Sequence, residues 1–307
     1  MAKETAPLGL PLTTGTWTTT TATDGTDLAI LSLGSGPGLV VVHGSMQSAA
    51  AHLELARLLA DQHTVHLMER RGRGRSGPYP PDATLRTEVD DLARVLAETE
   101  SPAAIGISSG ALLVGRAATT VPSLRRAVLF EPPLVVDGSI NLGFVDRFES
   151  ELAAGDLDAA MVTAMRGAQM GPPFLRAVPG FVLRAMSRRQ LARDAAAALA
   201  PSRDRIRLDD LVRALPQDFR IVTESADRIA AFAAIDPARV RVQVLAGTKT
   251  RPYLRLAAEA MGQAVPGAEL VSLPGTNHGA TQNRDQWGRP DIVASAVKSF
   301  LRRPARR

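Results

Sequence analysis

An α/β fold built on a mostly parallel sheet, covered by helices on both faces, is the class this sequence predicts. Short apolar runs alternate with segments of helical spacing at both ends of the chain, the pattern of βαβ units. The run Leu39-Val40-Val41-Val42 is continuously apolar, as a strand covered on both faces should be. A third observation is the stretch 132–237, which is helical in spacing and too long for a loop. The expected organisation is a core made of residues 1–131 and 238–307, with residues 132–237 inserted as a helical cap.

The elements follow in order. Residues 16–23 are rich in β-branched threonine, and residues 28–33 make a hairpin partner across Thr23-Asp24-Gly25-Thr26. After the strand ending near His43, residues 50–60 place Leu53, Ala56 and Leu59 on one helical side. Residues 64–68 give another strand, and residues 85–96 carry Leu85, Val89, Leu92 and Leu96 at helical intervals. A strand at 103–107, a helix at 111–118 and a strand at 127–130 continue the alternation. In the insertion the expected helices are 144–154, 157–165, 181–200 and 209–215, punctuated by prolines at 172, 173, 179, 201 and 216. The βα pattern then resumes with a strand at 240–245, a helix at 253–264, a strand at 269–273 and a helix at 292–301.

Composition excludes several classes. No apolar run reaches the roughly 18 residues of a membrane helix, and the polar N-terminus carries no basic-then-apolar leader pattern, so a cytoplasmic protein away from the membrane is expected. The absence of cysteine removes disulfides, thiolate metal sites and a cysteine nucleophile. A formal net charge of +5 invites a nucleic-acid reading, but part of it sits in residues 302–307 and only 4% of residues are aromatic. Few platforms exist on which bases could stack, so nucleic acid is not an expected partner.

The stretch Gly106-Ile107-Ser108-Ser109-Gly110 lies between an apolar strand and an alanine-rich helix. Glycines on both sides of such a turn remove Cβ atoms that would collide, leaving the Ser108 hydroxyl exposed at the sheet edge. The following helix aims its N-terminus, and the N–H of Ser109, at negative charge developing there. Alone, G-x-S-x-G also fits a tight connection whose serines merely cap a helix. Context comes from three other places. His43-Gly44-Ser45-Met46 follows an apolar strand and can present a backbone N–H, from Ser45 or else Met46, beside that of Ser109. His43 itself reads as a brace for that turn rather than a base. Leu273-Pro274-Gly275-Thr276-Asn277-His278-Gly279 supplies the one late histidine; His52, His63 and His66 fall in early elements with no expected chemical role. The loop Glu69-Arg70-Arg71-Gly72-Arg73-Gly74-Arg75-Ser76-Gly77 lacks the lysine and spacing of a phosphate-binding loop, so its guanidinium groups are expected to pin a loop next to the site.

Together, and in this order, the H-G turn, the R-R-G-R-G-x-S-G loop, the G-x-S-x-G turn and the late G-x-x-H-G resemble the α/β-hydrolase superfamily over nearly the whole chain. The resemblance implies an eight-stranded core with a helical cap after the sixth strand. It implies Ser108 as nucleophile and His278 as base, with Ser45 and Ser109 as oxyanion donors. The acid of that family usually follows the seventh strand, where this chain reads Gly247-Thr248-Lys249-Thr250-Arg251-Pro252 and has no carboxylate. Glu131, ending the strand after the serine turn, is the expected substitute, since some members such as haloalkane dehalogenases take their acid from that position. A turn cap ahead of Pro132-Pro133 is the competing role for Glu131, and Asp227 is a weaker contender for the acid.

The expected activity is acyl transfer to water, on a small or medium ester, lactone or thioester, through an acyl-serine intermediate. Hydrolysis of a carbon–carbon bond on the same triad, and a ligand-binding protein with lapsed catalysis, are the alternatives. No metal-ligand cluster or dinucleotide fingerprint is visible in the sequence, so no cofactor or metal is expected, and the expected partner is a small acyl substrate. Oligomeric state is not encoded in any motif.

Overall fold

A computed structural model of the chain describes residues 15–171, 173–197 and 206–303. Residues 1–14, Pro172, Pro201, the end of the helix expected over 181–200 and the last four residues of the basic tail lie outside them.

One sheet contains eight strands: β1 (Thr16–Thr21), β2 (Asp27–Gly34), β3 (Gly38–Val42), β4 (Thr64–Met68), β5 (Ala103–Ile107), β6 (Arg126–Phe130), β7 (Arg241–Gly247) and β8 (Glu269–Leu273). Their order is β1-β2-β4-β3-β5-β6-β7-β8. The β1–β2 and β2–β4 pairs are antiparallel and the rest parallel. The three core helices that precede the long insertion are α1 (Leu53–Leu59), α2 (Leu85–Glu98) and α3 (Ser109–Thr120). Between β6 and β7 come α4 (Val145–Ala153), α5 (Leu157–Gly167), α6 (Gly180–Ala197), α7 (Leu208–Arg213) and α8 (Leu215–Ser225). The chain closes with α9 (Pro252–Ala264) and α10 (Pro290–Arg302).

The continuous apolar character of β3 has its reason in the pleat. Successive side chains point to opposite faces, and both faces here are covered. Val40 and Val42 join a core made with Leu92, Val95, Leu112 and Ala258 of α2, α3 and α9. Leu39 and Val41 join a second core with Leu55 and Leu59 of α1 and Val297 and Phe300 of α10. Within the insertion a third cluster gathers Phe148, Ala160, Ala164, Val212, Leu215 and Phe219. Phe144 and Phe148 each meet Phe219 edge-on, with ring centroids 5.1 Å apart.

Two elements differ from expectation. The helix expected over 50–60 is a 3₁₀ turn, Ala49–His52, followed by α1. The helix expected over 209–215 is α7, and a separate longer helix, α8, follows it. Pro216 marks the start of α8 rather than a break: proline fits the first helical turn, where its missing N–H has no partner to lose. α8 serves two cores at once, with Phe219 in the insertion's cluster and Ile221 in the main one.

Candidate active site

The parallel strands deliver the chemistry-bearing residues to one rim, at their C-terminal ends, where ligands bind in open α/β sheets. Ile107 of β5 stands in register with Phe130 of β6, so Ser108 and Glu131 leave neighbouring strands side by side. The Ser108 N–H donates to the Phe130 carbonyl at 2.9 Å, and the Glu131 N–H to Leu245 of β7 at 2.9 Å.

Ser108 has φ 54° and ψ −123°, a conformation unfavourable for a residue with a side chain. What enforces it is close packing of strand and helix. A Cβ on Gly106 would lie 2.4 Å from the Gly110 carbonyl, and one on Gly110 would lie 2.4 Å from the Val42 carbonyl. Only glycine tolerates these two contacts. Ser108 is 8% exposed, enough to reach a small group from the rim.

His278 arrives from the loop after β8, 170 positions later, and its Nε2 lies 3.1 Å from Ser108 Oγ. Its Nδ1 lies 2.6 Å from Glu131 Oε2. The carboxylate accepts only, so the imidazole proton belongs on Nδ1 and Nε2 is left to accept from the serine. The Phe130 ring lies 6.3 Å from the imidazole at 26°, a stacked arrangement that limits its tilt. The Glu131 carboxylate is fully buried. The Gly247 N–H donates to its Oε1 and the Thr250 hydroxyl to its Oε2, both at 2.7 Å.

The loop after β7 therefore contributes to the carboxylate after all, as donors rather than as an acid. Thr250 carried no sequence signal beyond its position there. Lys249 joins the same loop through its backbone, donating to the Thr276 carbonyl at 2.9 Å. Asp227 is elsewhere: its Oδ1 accepts from the Asp137 N–H at 2.9 Å, tying the end of the insertion to its beginning.

Ser45 and Ser109 sit on the two turns facing Ser108. The Ser45 hydroxyl donates to the Ser109 hydroxyl at 3.3 Å. Neither backbone N–H donates to a backbone carbonyl among the described residues. The Gly44 N–H donates to Gln47 Oε1 at 2.9 Å, which fixes the turn. His43 braces it from below: its Nδ1 meets the Gly44 carbonyl at 3.0 Å and its Nε2 accepts from the Arg70 N–H at 3.2 Å. Burial, with Arg73 and Arg70 nearby, pushes the His43 imidazole well below its usual range, so it stays neutral. His52 is also buried, its Nδ1 3.0 Å from the Thr281 carbonyl, and burial lowers it to about 4. His66 lies on β4 with its Nδ1 2.8 Å from Ser32 Oγ.

The arginine-rich loop is more deeply built than a surface pin. Arg70, Arg71 and Arg73 are all buried. Arg70 grips Glu88 with two nitrogens at 2.6 and 2.7 Å, and Arg71 grips Asp91 at 2.6 and 2.7 Å. Arg70 also reaches Asp218 of α8 at 2.7 Å, and Arg73 pairs with the other oxygen of that carboxylate. Asp218 escaped the sequence reading because its partners lie 145 and 148 positions away. Four arginines in one loop after a buried strand were a signal that buried carboxylates had to exist somewhere.

Glu69, at the head of this loop, is buried with one oxygen accepting the Ala49 N–H at 2.9 Å and the other unpartnered among the described residues. Burial raises it from 4.5 to about 7, despite the Ala49 bond and the charges of Arg73 and Arg75. A carboxyl raised in the folded state contributes its stability below the unfolded value, and loses it as pH climbs from about 4.5 to about 7. Glu69→Gln should therefore match wild type near pH 4 and exceed it above pH 7 by about 3 kcal/mol, at roughly 1.4 kcal/mol per unit. Denaturant unfolding of both proteins across that window measures it. Parallel curves at all pH values would show that Glu69 is ionised in the fold.

A sheet of this order, with a hydroxyl, an imidazole and a carboxylate in line at its rim, defines the hydrolase class of α/β enzymes. The model of the α/β hydrolase family matches residues 39–296, and the chain belongs to that family. It is a hydrolase. A pimeloyl-[acyl-carrier protein] methyl ester esterase of Stenotrophomonas maltophilia is 27% identical over 274 residues, covering 87% of this chain and 94% of the relative. The solved structure of an α/β hydrolase from Sphaerobacter thermophilus is 27% identical and superposes with a TM-score of 0.72, covering 92% of this chain and all of that one. A hydrolase from Pseudomonas aeruginosa, 22% identical, shares the fold with a TM-score of 0.67 over 94% of this chain and 100% of that chain. Among the described residues no helix is long and apolar enough to cross a membrane.

Proposed function

We propose that this hydrolase is a serine esterase acting on small or medium carboxylic esters, lactones or thioesters through an acyl-enzyme. The observation that carries the proposal is the line of contacts from Glu131 through His278 to Ser108, at 2.6 and 3.1 Å. Ser108 Oγ attacks the acyl carbon and its proton passes to His278 Nε2. Glu131 keeps Nδ1 protonated and stabilises the imidazolium without taking the proton. The carbonyl oxygen, now negative, sits against the N–H groups of Ser45 and Ser109 at the N-terminus of α3. Collapse expels the alcohol or thiol, which takes the proton from His278. Water then attacks the acyl-serine, gives its proton to the same nitrogen, and Ser108 regains it as the acid leaves.

An ester substrate is supported by the curated relative of nearly full length, whose name specifies a methyl ester of an acyl group. The helical insertion between β6 and β7 serves as the cap that shapes the acyl pocket, with residues 132–237 as its extent. The protein works on a small acyl substrate in the cytoplasm. The test is a panel of p-nitrophenyl esters of graded chain length, with lactones and acyl thioesters, run beside a fluorophosphonate probe. Turnover of at least one class, and a single labelled peptide containing Ser108, are expected. No turnover and no label on Ser108 would overturn the proposal.

A further inference from the structure

Asp218 belongs to the inserted helices, yet it is fully buried against the turn that carries Ser108. One nitrogen of Arg70, Nη1, lies 2.7 Å from Asp218 Oδ1, 3.0 Å from Ser109 Oγ and 3.4 Å from the His43 carbonyl. The Ser109 hydroxyl donates its single proton to Asp218 Oδ1 at 2.8 Å. Its lone pairs accept from Arg70 Nη1 and from the Ser45 hydroxyl. Every valence of that hydroxyl is used, so its rotor is fixed. The two residues whose N–H groups face the developing oxyanion are thus joined by their own side chains, and Asp218 takes the proton that sets the orientation.

We infer that Asp218 is a positioning residue which, acting through the Ser109 hydroxyl and Arg70, sets the spacing of the Ser45 and Ser109 oxyanion donors and so couples the seating of α8 to turnover. The inference rests on the serine-esterase function proposed above. Charge balance alone does not require this geometry. Glu88 already holds Arg70 through two nitrogens, and Asp218 Oδ2 alone would satisfy Arg73. Oδ1, besides meeting Arg70 at 2.7 Å, accepts at 2.8 Å from a neutral hydroxyl one residue from Ser108. Donors in such a site act only within a few tenths of an ångström of their working positions. A change at α8 therefore reaches the transition state more than bound substrate, since the negative oxygen forms only on attack.

The experiment uses the full chain on whichever ester wild type hydrolyses best, with active sites counted by fluorophosphonate titration. Asp218→Asn is expected to lower kcat per site about 10- to 100-fold, with KM within about threefold and phosphonylation slowed by a similar factor. Ser109→Ala keeps every ion pair in place and decides the matter should Asp218→Asn fail to fold. It is expected to lower kcat about tenfold with KM again unchanged. Where both variants fold, Asp218→Asn in the Ser109→Ala background should cost little further kcat, because the two act in series. An unchanged kcat per site in Ser109→Ala, a rise confined to KM, or full additivity in the double variant would each overturn the inference. An inert wild type would instead sink the esterase proposal itself.

Discussion

Ser108→Ala is expected to remove ester hydrolysis, lowering kcat by about 10⁶-fold while leaving the fold intact. The hydroxyl is the only protein group on the proposed path that forms a bond to the acyl carbon. Water, positioned by His278 and the oxyanion donors, supplies what residual rate remains. The backbone at this position is held by the neighbouring glycines and by the Phe130 carbonyl, none of which alanine disturbs. Thermal unfolding should therefore shift little. Turnover above about one per cent of wild type, once contaminating esterase is excluded, would rule out Ser108 as nucleophile. Loss of fluorophosphonate labelling together with an unchanged thermal unfolding curve separates a missing nucleophile from a misfolded one.

Glu131→Gln is the second large effect. The amide keeps the length of the side chain and an oxygen for the Gly247 N–H, which today donates at 2.7 Å. Its NH₂ group can only donate toward His278 Nδ1, so the imidazole is driven to carry its proton on Nε2, where it cannot accept from serine. A loss of about 10³- to 10⁴-fold in kcat is expected, with KM close to wild type. Steady-state kinetics on a p-nitrophenyl ester measures it. Near-normal turnover would move the acid role off Glu131, and with no other carboxylate bonded to His278 among the described residues the mechanism would have to change.

Much of this was legible in the sequence, for local reasons. Strand and helix alternation is written in hydrophobic period, and the doubly covered strand β3 announces itself by having no polar side. Each of the three side chains that meet at the rim also carried its own local mark: glycines around Ser108, a strand end and two prolines at Glu131, a turn-rich loop at His278. What could not be read was pairing across distance. The sequence predicts that the arginine loop pins a loop next to the site, whereas Arg70 and Arg73 fasten α8, which starts at the proline that punctuates the sequence pattern. Asp218 is one acidic residue among several in a helical stretch, and nothing in its neighbours distinguishes a carboxylate that will be wholly buried. Thr250 was likewise silent until the carboxylate it serves was in place.

Placing the proposed acid directly after β6 has a consequence for how the gene can tolerate change. The turn proposed to hold the oxyanion, the serine and the carboxylate then all lie in the first 131 residues, ahead of the inserted helices, and only the imidazole is encoded beyond them. Growth or shrinkage of the inserted stretch, away from α8, leaves that opening block contiguous. Whatever slack it introduces must be taken up on the return path through β7 and β8 that brings one histidine home.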